Sequence, residues 1–179
     1  MRIRTYRSSD APVLAHIYQL AAQADHTAAG SVADFEAWLS EPALEAEHNV
    51  FVVTDDESDL NQWGQGETLE GIEGEIIGYT VLQLQQRPQA YHFRCQGAVH
   101  PQQRCRNAGR SLLICALNRA RIWASEFEFE AEQEGIPIYF EALLPLSDPA
   151  AAHLAARCEM TATEDLVAGG MRLYRREEL

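Results

Sequence analysis

Apolar positions along this 179-residue chain switch repeatedly between a period near two and a period near 3.6, the pattern of strands alternating with helices. Residues 2–7, RIRTYR, predict a short strand. Ser9 and Asp10 offer a helix cap with Pro12 in the tolerated first turn, and Val13, Leu14, Ile17, Leu20, Ala21 and Ala24 follow at helical spacing. A second helix is predicted from Ser31: Ser31 and Asp34 have capping-box spacing, and Val32, Phe35, Trp38 and Leu39 form one apolar face. Residues 49–54 read as a strand. The acidic, glycine-bearing stretch 55–75 reads as an exposed loop or long hairpin connection. Residues 76–84 and 91–99 predict two more strands, with a hairpin turn around Arg87-Pro88.

From Gly109, the positions Leu112, Leu113, Ala116, Leu117, Ala120 and Trp123 predict a long helix that continues through ASEFEFEAEQE to Gly135. Residues 138–144 give a buried strand. Asp148-Pro149 starts a helix carrying Ala151, Leu154, Ala155 and Cys158, and residues 170–176 form the last strand. The order β-α-α-β-β-β-α-β-α-β predicts a single domain over residues 1–179, an α/β layer architecture with a mixed sheet.

Charge narrows the partners. Fourteen basic against 27 acidic residues leave a formal charge of −13, a field that repels nucleic acid and anionic membrane and favours cationic ligands. The cysteines Cys95, Cys105, Cys115 and Cys158 form no CxxC pair and no metal-like spacing with histidine, so reduced thiols and no metal site are expected. That usage suits the cytoplasm. MRIRTYRSSD has no apolar signal core, and no run approaches the ~18 apolar residues of a membrane span. A soluble, cytoplasmic protein is expected.

Against that acidity, VHPQQRCRNAGRSLLICAL (residues 99–117) gathers Arg104, Arg106 and Arg110 where a strand passes into a helix. A helix N-terminus presents unsatisfied N–H groups and about +0.5 of partial charge, which favours a phosphate. The turn into it needs residues that tolerate positive φ, a need that Gly109 meets and Asn107 meets in part. The three arginines would neutralise phosphate charge.

This stretch resembles the signature of the GNAT superfamily of acyl-coenzyme A-dependent N-acetyltransferases, R/Q-x-x-G-x-G/A. Here it reads Arg104-Cys105-Arg106-Asn107-Ala108-Gly109, led by Val99-His100-Pro101 and followed by Ser111-Leu112-Leu113. Cys105 and Asn107 stand where the family has glycines. The resemblance implies a largely antiparallel, twisted sheet flanked by helices, with acetyl-CoA or another acyl-CoA as co-substrate. The acceptor would be the amine of a small molecule or peptide. It also implies that Arg104, Cys105, Arg106, Asn107, Ala108, Gly109 and Arg110 form the pyrophosphate loop, and that backbone N–H groups of Gly97, Ala98 and Val99 polarise the thioester and hold the pantetheine. Gly97 inside a strand is also what a bulge or a close ligand approach selects.

The family's thiolate acid is a tyrosine on the helix after the fifth strand, in a pattern like N-x-x-A-x-x-x-Y. The corresponding residues are Asp148, Ala151 and Ala155, so Asp148 joins the cofactor-binding set while no hydroxyl remains at 155. His92 and Glu141 are the candidate catalytic bases, with His100 behind them, because histidine titrates near neutral pH and burial raises a carboxyl's pKa. A catalytically degenerate GNAT domain that binds acyl-CoA, or serves a structural role, is the alternative. The N-terminal stretch and its two helices also resemble the first half of tandem GNAT proteins, which implies a second GNAT domain as partner, and the pairing of many family members through a sheet edge or final strands implies a homodimer instead.

Overall fold

A computed structural model describes residues 1–55, 74–87, 89–167, 169–177 and 179. The loop expected at 55–75 and Pro88 of the expected hairpin therefore lie almost wholly outside the described residues. The elements in chain order are β1 (Arg2–Thr5), α1 (Ala11–Asp25), α2 (Val32–Leu39), a single turn α3 (Ala46–Asn49), β2 (Val50–Asp55), β3 (Glu75–Arg87) and β4 (Ala90–Val99). Then come α4 (Ala108–Ala124), α5 (Glu128–Glu134), β5 (Ile138–Pro145), α6 (Pro149–Arg157), β6 (Thr161–Val167) and β7 (Met171–Arg176).

The described strands form one seven-stranded sheet in the order β1-β2-β3-β4-β5-β7-β6. Every pairing is antiparallel except β4 with β5. That single parallel pair follows from α4 and α5, which carry the chain back across the sheet between the two strands. The expected mixed, largely antiparallel α/β architecture is the one observed.

Alternation along the strands sorts the core into two layers. Phe93, Cys95, Phe140 and Ala142 point to the side covered by α4 and α6, where Leu113, Ala116, Leu117, Ala120 and Ala155 meet them. Val50, Val52, Tyr79 and Val81 point to the opposite side, under Leu14, Ile17, Phe35 and Leu39 of α1 and α2. Burying each large side chain of this kind contributes about 1.5–3 kcal/mol.

Local expectations hold or fail for identifiable reasons. Ser31 Oγ accepts from Asp34 N–H at 3.0 Å and starts α2 as its spacing predicted. Asp10 does not cap α1: its carboxylate accepts 2.7 and 2.9 Å hydrogen bonds from Arg4 and a 2.8 Å bond from Arg7 N–H. The long helix expected from 109 to 134 is broken at 125–127. Phe127 turns inward there, with its ring 4.6 Å from Tyr91 and 6.0 Å from Phe93. Gly135, at φ 66°, ends α5 as expected. The edge strand β6 is an addition to the predicted order.

Candidate active site

β4 pairs with β5 only as far as Gln96 opposite Leu143, while β4 itself runs on to Val99 and β5 to Pro145. The two parallel strands diverge at their C-terminal ends. Gly97, Ala98 and Val99 keep their ladder to β3 but have no strand partner on the β5 side. Backbone polar groups on such an edge are available to a ligand.

Gly97 is glycine for a steric reason. A Cβ there would collide with the Tyr79 carbonyl and come within 2.8 Å of Thr80 Cα on β3. The close approach at Gly97 is to the neighbouring strand, and the β3–β4 register runs through it without a bulge.

The split opens a cavity of about 720 Å³ that reaches both sides of the sheet, a size suited to a small-molecule or cofactor site. Its wall includes Gly97, Ala98 and Val99, the loop residues Arg104, Cys105, Asn107, Ala108, Gly109 and Arg110, and Asp148. The cofactor-binding residues expected from the sequence are thus gathered on one cavity, with one exception: Arg106 does not line it.

The loop conformation explains why two glycines can be absent. Cys105 has φ 65° and Asn107 has φ 67°, both in the left-handed region where glycine is the default. The turn keeps the backbone path of a glycine loop and carries the strain of two side chains, about 1–2 kcal/mol per ordinary residue and less for asparagine. Gly109, expected to supply the positive φ, is instead helical. A Cβ there would sit 3.7 Å from Leu154 and 3.8 Å from Val99, ordinary contact, so alanine would fit equally well. Asn107 begins α4 without a side-chain cap, which leaves the first-turn N–H groups of a 17-residue helix open toward the cavity.

The arginines divide into two kinds. Arg104 donates from Nη1 and Nη2 to the two oxygens of Asp25 at 2.6 and 2.8 Å, and its Nη1 lies 3.8 Å from Asp148. Arg106 donates to Asp55 at 2.9 Å and to Gln103 at 2.7 Å. Both were expected to face an anion; as folded, their guanidinium groups are committed to carboxylates. Arg110 lines the cavity with no hydrogen bond or ion pair among the described residues, and so does Arg157 of α6, with His153 one turn before it. The sequence reading missed Arg157 because no motif marks it. Asp148 accepts from Ala150 N–H at 2.9 Å and caps α6.

The two candidate bases lie elsewhere. Glu141 is fully buried, with His92 Nδ1 at 2.9 Å, Arg94 at 3.0 Å and Arg175 at 2.8 Å, and neither Glu141 nor His92 lines the cavity. Burial alone would raise the Glu141 carboxyl, but hydrogen bonds from Arg175, His92 and Arg94 outweigh it and hold the group below its ordinary value. The expected raised pKa is corrected: the carboxylate is the neutralising centre of a cationic cluster. His100 caps the short turn 101–103, with its Nδ1 accepting from Gln102 N–H at 3.3 Å. Ala155 is fully buried against the core and supplies no polar group.

On the α1–α2 side the cavity wall is aromatic, made by Tyr18, Phe35, Trp38 and Tyr79. The sequence reading took Phe35 and Trp38 as core and gave these rings no other role. Among the described residues no group of three or more His, Cys, Asp or Glu side chains forms a metal site. Among them, too, no helix is long and apolar enough to cross a membrane.

The fold recurs in solved structures. A ribosomal-protein-alanine N-acetyltransferase from Brucella melitensis superposes with a TM-score of 0.60 at 15% identity, covering 99% of this chain and 100% of its own. The chain has the GNAT fold. A second GNAT protein, a phosphinothricin acetyltransferase from Sinorhizobium meliloti solved with acetyl-CoA, gives a TM-score of 0.60 at 15% identity, covering 98% of this chain and 86% of its own. This chain spans only 43% of the length of a GCN5-related N-acetyltransferase from Sphaerobacter thermophilus, which matches over 90% of it at a TM-score of 0.60 and 15% identity. By sequence alone, no family model and no curated protein matches the chain.

Proposed function

We propose that this GNAT-fold protein transfers an acyl group, in the first instance acetyl, from acyl-coenzyme A to a primary amine. The observation that carries the reading is the split between β4 and β5, opening onto a cavity that ends at a left-handed turn and an uncapped helix N-terminus. The split would take the pantetheine and thioester along the free edge of Gly97, Ala98 and Val99. The first-turn N–H groups of α4 would hold pyrophosphate. Arg110 and Arg157, both without partners among the described residues, would supply the cationic contacts.

Two solved relatives with this fold are named for ribosomal-protein alanine and for phosphinothricin, acceptors that share an amino group. In such a transfer the amine nitrogen bonds to the acyl carbon as the carbon–sulfur bond breaks, and the electron pair leaves with sulfur. One nitrogen-bound proton passes to the sulfur, and any extra proton of an ammonium form goes to solvent before attack.

A second reading has its own support. Ala155 removes the expected thiolate acid, and His92 and Glu141 stand away from the cavity. Both favour a domain that binds acyl-CoA without turnover. Calorimetric titration with acetyl-CoA, followed by release of free thiol with a panel of amines, separates the two. Binding with thiol release supports transfer, binding without release supports the second reading, and no binding overturns both. The chain contains no lysine, so acetylation of its own side-chain amines adds no background.

A further inference from the structure

We infer that the acceptor is an unsubstituted primary amine on a flat apolar body, an arylalkylamine in chemical class, with Tyr79 as its hydrogen-bond partner. The inference rests on the acyl-transfer reading and specifies its second substrate. Three features of the arm between the sheet and the α1–α2 helices carry it.

The first is the wall. Tyr18 stacks on Phe35 with ring centroids 4.8 Å apart and planes 13° from parallel. Phe35 meets Trp38 at 5.7 Å and, edge-on, Tyr79 at 5.6 Å. Tyr18 is fixed by a hydrogen bond that its hydroxyl accepts from Gly30 N–H at 2.8 Å. Four rings from α1, α2 and β3 thus form one continuous aromatic surface on the cavity. Such a surface favours an apolar ring by contact and an ammonium by cation–π attraction.

The second is charge. The arm's exposed acid is Asp34, whose carboxylate already accepts from Ser31 Oγ at 2.6 Å. Its guanidinium is that of Arg104, neutralised by Asp25 through two hydrogen bonds. Among the described residues no other arginine lines this side, and the chain has no lysine to do so. An acceptor bearing a carboxylate, phosphinate or phosphate finds no unpaired arginine among the described residues here, whereas an ammonium meets Asp34 and the field of a chain at −13.

The third is a hydroxyl without a partner. Tyr79 is only 3% exposed, yet its hydroxyl has no hydrogen bond among the described residues and is not one of the occluded unpaired atoms. A buried hydroxyl in that state is open to a ligand. Tyr79 stands opposite Ala98 in the β3–β4 ladder, beside the strand edge where the thioester would lie. Burial first, and Tyr18 second, raise its pKa, so the group stays protonated and its oxygen can accept from an amine N–H. That bond would orient the nitrogen lone pair toward the acyl carbon.

The test compares 2-phenylethylamine with glutamate and with alanyl-alanine, using steady-state kinetics with acetyl-CoA and calorimetry of each amine without it. The expected kcat/KM order puts 2-phenylethylamine at least about tenfold ahead of both others, the scale set by unpaired polar groups on the losing substrate. Tyr79→Phe keeps the ring and core packing and removes the hydroxyl. It should lower kcat/KM for 2-phenylethylamine about tenfold with the acetyl-CoA Kd unchanged. Asp34→Asn, which retains an oxygen for Ser31, should weaken 2-phenylethylamine binding in low salt and less so in high salt. Preference for glutamate or alanyl-alanine overturns the inference, and so does a Tyr79→Phe variant with wild-type kcat and KM. If acetyl-CoA never turns over, the acyl-transfer reading fails alone. Calorimetric binding of 2-phenylethylamine, weakened in Tyr79→Phe, would still support the arm, and no binding would overturn it.

Discussion

Arg104, in the turn that leads into α4, grips Asp25 at the end of α1 through two hydrogen bonds of 2.6 and 2.8 Å. The pair joins the loop side of the cavity to its aromatic side. Nearby, Ser147 Oγ donates to the Asp25 carbonyl at 2.6 Å, and Ala28 N–H donates to the Gly169 carbonyl at 3.2 Å. Four separate segments therefore meet at the C-terminal end of α1.

Arg104→Ala leaves Asp25 mostly buried without its cation. The expected loss is about 2 kcal/mol of stability, less than for a fully buried pair because the arginine keeps some exposure. Urea unfolding should show a lower midpoint at unchanged slope. Arg104→Lys should recover only part of the loss, since an ammonium cannot make the two-pronged contact.

Arg110 and Arg157 line the cavity without a hydrogen bond or ion pair among the described residues, so their loss should tell on coenzyme A binding and leave the fold intact. Each change to Ala should weaken coenzyme A about tenfold, the scale of one charged hydrogen bond. Binding of S-acetylpantetheine, which lacks the pyrophosphate and adenosine, should be unaffected. Equal weakening of both ligands would remove these arginines from phosphate binding.

Cys105 is the exposed thiol and lies on the cavity, whereas Cys95 and Cys158 are buried. Burial pushes the Cys95 thiol up to about 12, against a lowering hydrogen bond from Thr80. N-ethylmaleimide should therefore label Cys105 first, and saturating coenzyme A should slow that labelling; mass spectrometry reads both. Cys105→Gly should stabilise the chain by up to about 1 kcal/mol, because glycine removes the left-handed strain and gives back part of the gain as unfolded-state entropy.

Glu141 sets an acid limit. Its folded pKa lies below the ordinary ~4.3 of an unfolded glutamate. Between the two values the unfolded chain holds a proton that the folded chain does not. The stabilisation is therefore complete above about pH 4.3 and is lost as pH falls through the folded value. Asp10, lowered by Arg4 and Arg7 against the opposing effect of burial, adds in the same direction. Glu141→Gln should cost about 3 kcal/mol at neutral pH, because Arg94 and Arg175 lose their counter-charge. It should also flatten the loss of thermal stability below pH 4.3, where glutamine has no proton to gain.

Much of this was legible in the residues. Six of the seven strands and the α1, α2, α4 and α6 helices follow from apolar spacing and caps such as Ser31 and Asp148. β6 escaped because TATEDLV is a polar edge strand with one covered neighbour, so little hydrophobic alternation is needed to place it. The break after Ala124 escaped because helical propensity runs through SEFEFE, and only packing of Phe127 on Tyr91 and Phe93 overrules it. In the candidate site, the motif marked the turn that lines the cavity, but not the contacts its arginines make. Arg104 and Arg106 read as phosphate ligands until Asp25 and Asp55, 79 and 51 residues away in sequence, came into contact with them.

The sequence by itself determined the layer architecture and the place of the arginine-bearing turn into α4, because hydrophobic period and helix-start chemistry are local properties. Only the tertiary structure decided which charges remain free, that Cys105 and Asn107 hold a glycine-like turn, and that four aromatic rings from three elements share one wall. Those outcomes depend on contacts between residues distant in the chain, where a buried carboxylate or a ring face selects its partner by geometry that no local pattern encodes.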